Sequence, residues 1–275
     1  MYGANSVTRW LPGPQRATLA IYAACVLILL PPSESKTGRT RGRPLDLDRL
    51  SLPGLTAARA ALLGPVAETS GRPDAAALMG VSPNLTEEIA RNTRLTTAPS
   101  VPVADLYTGV LYDALDLTTL EAAARRRANR RILVISALFG ALRLTDRVPP
   151  YRLSMAVNVP GIGPLAGHWR QPLAVELPPV VGRGLVIDCR SSTYAAAWVP
   201  QGELARRWVQ IRVPGATHMA KHTRGLVARA LCESDADPRT PSALAEVLAQ
   251  TFRIELHEPA SAAKPWVLDV RSTPS

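Results

Sequence analysis

The sequence predicts a single compact domain of mixed α/β (α+β) class, with a mixed central sheet surrounded by helices. Three observations predict it. Short apolar runs at Val26–Leu30, Ile132–Ile135, Leu185–Asp188 and Val209–Val213 have the length and composition of buried strands. Segments of helical periodicity separate them. The 275-residue chain is 47% hydrophobic and 20% charged, which supports a substantial core and excludes wholesale disorder. No internal repeat or long linker divides it.

Residues 1–25 read as an extension outside the fold, as from a start codon assigned too early, and the domain is placed at 26–275. Arg9 and Arg16 precede an apolar run, Ala17–Leu30, with the outline of a signal peptide or short anchor. The run has about 14 residues against the roughly 20 that span a bilayer, and its last part doubles as a first core strand. No stable membrane association is expected.

That strand runs directly into Pro31-Pro32-Ser33-Glu34-Ser35-Lys36-Thr37 and a basic loop, Gly38–Pro44. The Lys-Thr ending has the outline of a phosphate-binding P-loop. However, the glycines that bring backbone N–H groups onto phosphates are missing, and prolines stand where donors are needed. Ser33, Glu34 and Lys36 still offer a donor, a base and a cation just past a buried strand.

Helical spacing follows over Leu45–Leu63, interrupted at Pro53-Gly54. Asp74 can cap a helix through Met79, and Ser82-Pro83 with Glu87 and Glu88 begins another. Leu106–Leu115 brings Tyr107, Tyr112 and Asp113 near one another around Gly109. Thr118 or Thr119 starts a helix through Arg131, whose run Arg125–Arg127 is expected to be a solvated face.

Ile132–Met155 is the central stretch. A buried strand passes through Ser136 and Gly140 into a proline-stiffened loop holding Arg143, Asp146, Arg147, Tyr151 and Arg152, a common way to build a site. Met155–Val159 fits a strand and Gly161–Pro164 a turn that is no dinucleotide fingerprint. Leu165–Leu177 reads as helix. Leu185–Asp188 ends in Cys189-Arg190-Ser191-Ser192, with Tyr194 and Trp198 in a following helix. Polar groups again stand at the C-terminal end of a strand, the usual location of sites in α/β sheets.

Val209–Val213 leads to a helix, Ala216–Leu231, carrying Lys221 and Arg224. His218 and His222 are four apart, but no Glu lies between them and no third ligand is near, so no metal site is assigned. Ala243–Gln250 is a helix, and Phe252–His257 and Trp266–Val270 are closing strands. No cofactor is expected.

The net charge is +10 and the pI near 10.2, favouring anionic partners such as nucleic acid, nucleotides or phosphorylated metabolites. Only Lys36, Lys221 and Lys264 are lysines. The excess is clustered: Glu121–Arg152 holds eight arginines against two acids, and Glu203–Arg229 holds five arginines and Lys221 against Glu203. Cys25, Cys189 and Cys232 show no CxxC spacing, which fits a reducing cytosol.

Several stretches together resemble the YaaA family of bacterial peroxide stress proteins. They are VLILLPPSESKT at 26–37, LYTGVLYDAL at 106–115, ISALFGALRLTDRVPPYRLSM at 135–155, GHWRQPL at 167–173, VIDCRSSTY at 186–194 and KHTRGLVAR at 221–229. Ser35, where the pattern usually has glycine, and His222, where members can have lysine, depart from it. The resemblance implies an unusual mixed α/β domain and a cytosolic protein protective against hydrogen peroxide. It also implies a link to low free iron and DNA binding through a basic cleft with a helix-hairpin-helix-like element. It carries over no catalytic residue.

Three functions are therefore weighed. A DNA-binding stress protein comes first, with Arg143, Arg147, Arg152 and Arg224 on phosphates without reading sequence. The alternative is an enzyme on a small anionic substrate such as a nucleobase or nucleotide. Its candidate catalytic residues are Glu34, Lys36 and Tyr151, and its binding residues Ser33, Lys36, Tyr107, Arg143, Tyr151, Arg152, Ser191, Lys221 and Arg224. An iron-handling or scaffold role comes last, since no dense His/Cys/carboxylate cluster is evident.

Overall fold

A fully buried strand, β1 (Val26–Leu30), runs through the middle of the protein. The fold is known from a computed structural model that describes residues 26–215 and 218–272, without the side chains of His218 and Ser272. The expected N-terminal extension, its apolar run up to Cys25, the first two residues of the Ala216 helix and the His218 side chain lie outside the described residues. After β1 come α1 (Thr56–Ser70), α2 (Val110–Leu115), α3 (Ala122–Arg131), β2 (Ile132–Ser136) and β3 (Gly140–Arg143). Then follow α4 (Leu165–Val181), β4 (Leu185–Asp188), β5 (Trp208–Arg212), α5 (His218–Glu233), α6 (Pro241–Ala249), β6 (Phe252–His257) and β7 (Trp266–Ser272). Single helical turns and two-residue ladders link these elements.

The seven strands form one mixed sheet in the order β6-β7-β5-β4-β1-β2-β3. β7, β5, β4, β1 and β2 are parallel, while β6 and β3 return antiparallel at the edges. Ile28 pairs with Ile132 on one side and Ile187 on the other. The uninterrupted apolar runs of β1, β2 and β4 follow from this arrangement, because a strand buried on both faces has no solvent side to alternate with. The class expected from the sequence is the class observed.

The β3 edge is closed in an unusual way. Arg59 of α1 is buried and donates to the carbonyls of Phe139 (3.0 Å), Ala141 (2.8 Å) and Ser51 (2.8 Å). A guanidinium thus satisfies carbonyls at and beside the sheet edge, and no carboxylate among the described residues bonds it. Burial lowers its pKa to about 10, so it stays charged at neutral pH. Gly140 adopts φ 72°, and a Cβ there would stand 2.6 Å from the Trp169 ring, so only glycine fits the turn into β3.

Two expectations about arginines need correction. Of the run expected to be a solvated face, Arg125 donates to the Leu117 carbonyl and Arg127 to the carbonyls of Cys232 and Glu233. Arg131 joins Arg127 there, reaching Leu231, Ser234 and Ala236. The orphan carbonyls and negative dipole end of α5 draw these cations in. Arg143, expected on a phosphate, is buried in β3 and donates to the Arg130 carbonyl at 2.5 Å.

Other boundaries also shift. The segment after Ser136 returns as strand β3 instead of a loop. Within Leu106–Leu115 only Val110–Leu115 is helix, Leu106 being the last residue of a preceding turn, Val103–Leu106, and Tyr194 sits in a single turn, Ser192–Ala195, that does not reach Trp198. Met155–Val159 keeps only Asn158–Val159 as strand, paired with Gly163–Pro164.

α5 packs against α2 through Gly225, where a Cβ would lie 2.2 Å from the Leu111 carbonyl oxygen and 2.8 Å from Ala114 Cβ. The pairing fixes Lys221 and Arg224, one turn away, against the end of the sheet. Gly225→Ala is expected to lower stability by roughly 1–3 kcal/mol, because backbone cannot yield as a side chain does. Urea unfolding checks this as a fall in midpoint at constant slope.

Candidate functional site

The parallel strands place their carboxyl ends on one side of the sheet. From β1 the chain crosses to β2 on one flank, whereas from β4 it crosses to β5 on the other. The two crossovers diverge and leave a crevice beyond β1 and β4, where ligands of open α/β sheets bind. A cavity of about 500 Å³ opens there. Its wall includes Ser33, Glu34 and Lys36 after β1, Ser191 and Tyr194 after β4, Arg152 and Ser154 from the proline-stiffened loop, and Lys221 and Arg224 from α5.

Seven of the residues singled out from the sequence therefore meet: Ser33, Glu34, Lys36, Arg152, Ser191, Lys221 and Arg224. Tyr107 and Tyr151 do not line the cavity but lie behind Lys36. The Lys36 amine stands 4.4 Å from the centre of the Tyr151 ring and 5.6 Å from that of Tyr107, and donates to the Ser33 carbonyl at 2.6 Å. An antiparallel bridge between Lys36 and Tyr107 holds the loop in place. Burial first, and the nearby Arg152 charge second, lower the Lys36 pKa to about 7.

A buried hydroxyl chain supports that amine. Ser136, at the carboxyl end of β2, accepts the N–H groups of Leu138 (3.2 Å) and Phe139 (3.0 Å). With both lone pairs used, its hydrogen goes to the Tyr151 hydroxyl at 2.7 Å, and the Tyr151 and Tyr107 hydroxyls share a hydrogen bond of 2.9 Å. Burial pushes both tyrosine pKa values up, so the rings remain neutral under Lys36. Tyr112 stacks on Tyr107 and donates to the Pro31 carbonyl at 2.7 Å.

Arg152 lies between two carboxylates, Glu34 at 2.9 Å and Glu88 at 3.2 Å. Its backbone is clasped by the buried Asn92, which accepts from Arg152 N–H (2.9 Å) and donates to Arg152 C=O (2.7 Å). Sequence reasoning missed Asn92 because an isolated Asn in a polar segment carries no periodic or spacing signal. After β4, Asp188 and Arg190 form a buried ion pair through two bonds of 2.8 and 2.7 Å. Trp208 donates to the same carboxylate at 3.0 Å, and Arg190 to the Trp198 carbonyl at 2.9 Å. This network sets the turn that presents Ser191 and Tyr194.

The described thiols are poor nucleophiles: burial pushes Cys189 and Cys232 up to about 12. One His/carboxylate trio, Glu255, His257 and Asp269, brings its ligand atoms within 4.8 Å of one another on β6 and β7. Asp269 is held there by Arg212 at 2.7 Å. Strand pairing alone joins these residues, so linear spacing gave no sign of them. No helix among the described residues is long and apolar enough to cross a membrane.

Fold and site together define an α/β protein with a polar cavity at the switch point of its parallel strands. Residues 26–257 match the family described as peroxide stress protein YaaA, and the chain belongs to that family. It is 48% identical to the UPF0246 protein SCO2297 of Streptomyces coelicolor, over 89% of this chain and 98% of that one. It is 36% identical to a UPF0246 protein of Corynebacterium efficiens, over 81% and 91% of the two chains. With a UPF0246 protein of Ruegeria it shares 29% identity over 76% and 86%.

The Asp188–Arg190 pair yields a prediction. Arg190→Met strands a buried carboxylate and is expected to cost about 3–5 kcal/mol. Chemical denaturation of the variant measures it, and a change below about 1 kcal/mol would mean that the pair does not hold the β4 turn.

Proposed function

We propose that the protein is a cytoplasmic enzyme of the peroxide stress response that acts on a small anionic molecule such as a nucleobase or nucleotide. One observation carries this: a desolvated amine, Lys36, faces a switch-point cavity from a bed of two neutral tyrosines. An amine titrating near neutrality accepts a proton at working pH and can return it, which a surface lysine cannot. Lys36 is therefore the proton acceptor. Glu34 serves to hold Arg152, and Tyr107 and Tyr151 position the amine. Ser33, Ser191, Lys221 and Arg224 offer donors to the ligand.

A second reading rests on the net charge of +10. In it the protein binds DNA without sequence preference and shields it from iron-dependent peroxide damage. Of the arginines proposed for phosphate contacts, Arg143 is buried on a carbonyl and Arg152 is engaged by two carboxylates. The small-molecule reading is favoured for that reason.

With three lysines in the chain, lysine labelled isotopically at Cε gives a simple NMR titration, assigned with Lys36→Arg. The Lys36 signal is expected to titrate near pH 7. The shift is downward, so the amine is charged below that pH and neutral above it. A midpoint at the ordinary lysine value of about 10.4 overturns the proposal. A salt titration of duplex DNA binding separates the second reading: weak binding lost by roughly 0.15 M salt is expected, whereas a log–log slope of several units supports DNA.

A further inference from the structure

Lys36 also lines a second space. A groove of about 630 Å³ lies on its far side, walled by Arg39, Arg91 and Arg94 together with Gly38, Pro99 and Pro150. Among the described residues no carboxylate lines this groove, and Arg91 and Arg94 make no ion pair. Arg39 pairs with Asp105 at 3.4 Å, both side chains being exposed. In the cavity, by contrast, Glu34 and Glu88 neutralise Arg152. Among the described residues the groove thus carries the unpaired charge of Arg91 and Arg94 beside Lys36, as the cavity carries that of Lys221 and Arg224.

The groove is built on anchored backbone. Asn92, between the two groove arginines, turns inward to clasp the Arg152 peptide at both ends and also donates to Ser70 at 3.0 Å. The Arg91–Arg94 turn is thereby tied to the loop that carries the cavity arginine. On the opposite wall, Thr37 N–H bonds the Leu106 carbonyl at 2.9 Å, and Ser100 N–H bonds the Arg43 carbonyl at 2.8 Å. These bonds pin both ends of the basic loop. Gly38 lies so close to Pro150 that a Cβ would be 3.0 Å from its ring.

We propose that this groove is a phosphate-binding subsite and that the substrate is a phosphorylated small molecule, its organic part in the switch-point cavity and its phosphate on Arg91 and Arg94. This rests on the small-molecule reading of the cavity. Lys36, common to both spaces, stands at the junction of the two ligand parts. Guanidinium groups match phosphate oxygens in geometry, and a ligand spanning both spaces accounts for a carboxylate-free basic groove adjoining a cavity that mixes hydroxyls, carboxylate and cations.

The test uses inorganic pyrophosphate and the full-length protein. Calorimetry is expected to show binding at moderate salt that weakens roughly tenfold or more in the Arg91→Ala/Arg94→Ala double variant. Both positions are exposed, and circular dichroism checks that the fold is kept. In the lysine NMR titration, bound pyrophosphate is expected to move the Lys36 midpoint upward, since a nearby anion favours the ammonium form. Pyrophosphate binding that is absent, or equal in wild type and variant, overturns the subsite even where Lys36 titrates near neutrality. An ordinary Lys36 midpoint with variant-sensitive pyrophosphate binding sinks the cavity reading instead. A single-stranded oligonucleotide that binds far more tightly than pyrophosphate, with a steep salt slope and the same dependence on Arg91 and Arg94, reassigns the groove to nucleic acid and also overturns the proposal.

Discussion

The parallel pairing of β1 with β2 on one side and β4 on the other is the constraint on which the structure depends. A buried strand satisfies its backbone only through its neighbours, and two parallel neighbours deliver their carboxyl ends to the same side as its own. The loops after β1, β2 and β4 therefore leave the sheet together. Because the crossovers from β1 and β4 diverge, those loops part and form a cavity instead of packing over the strand ends. Ser33, Lys36, Ser136 and Ser191 are neighbours for this reason.

Arginine serves this protein chiefly as a carbonyl ligand. Arg59 satisfies the β3 edge, Arg127 and Arg131 close α5, and Arg207 bridges the Gly182 and Gly184 carbonyls before β4. Each guanidinium offers five donors in a plane and can satisfy two or three backbone acceptors that regular structure leaves over. A large part of the basic excess is thus structural. What remains near the site includes Arg39, Arg91 and Arg94 in the groove and Lys221 and Arg224 in the cavity, so net charge alone is a poor map of where an anion binds.

The site combines a rigid frame with a chemically poised amine. Burial disfavours the Lys36 ammonium, while the faces of Tyr107 and Tyr151 and the Ser33 carbonyl favour it, and desolvation prevails. The tyrosines are themselves fixed by the Ser136 hydroxyl, whose orientation is set by two backbone N–H groups after β2. The two rings beneath Lys36 are therefore positioned by main-chain geometry, while the side-chain charges of Arg152, Glu34, Glu88 and Arg91 also act on the amine.

Much of this was legible in the sequence for one reason: strand burial and strand-end loops leave local signatures. Runs such as VLILL and LVID marked the core strands, and the polar residues following them marked Ser33, Glu34, Lys36 and Ser191 as site candidates. Tertiary structure alone decided the rest. Whether an arginine contacts carbonyl, carboxylate or solvent depends on residues far away in the chain, so Arg143 and Arg127 looked like surface cations and are buried or capping. Asn92, sixty positions from the Arg152 peptide it clasps, and the sharing of Lys36 between cavity and groove are long-range facts of the same kind. Local composition reports what a residue can bond to, and only the packed chain determines which partner comes within reach.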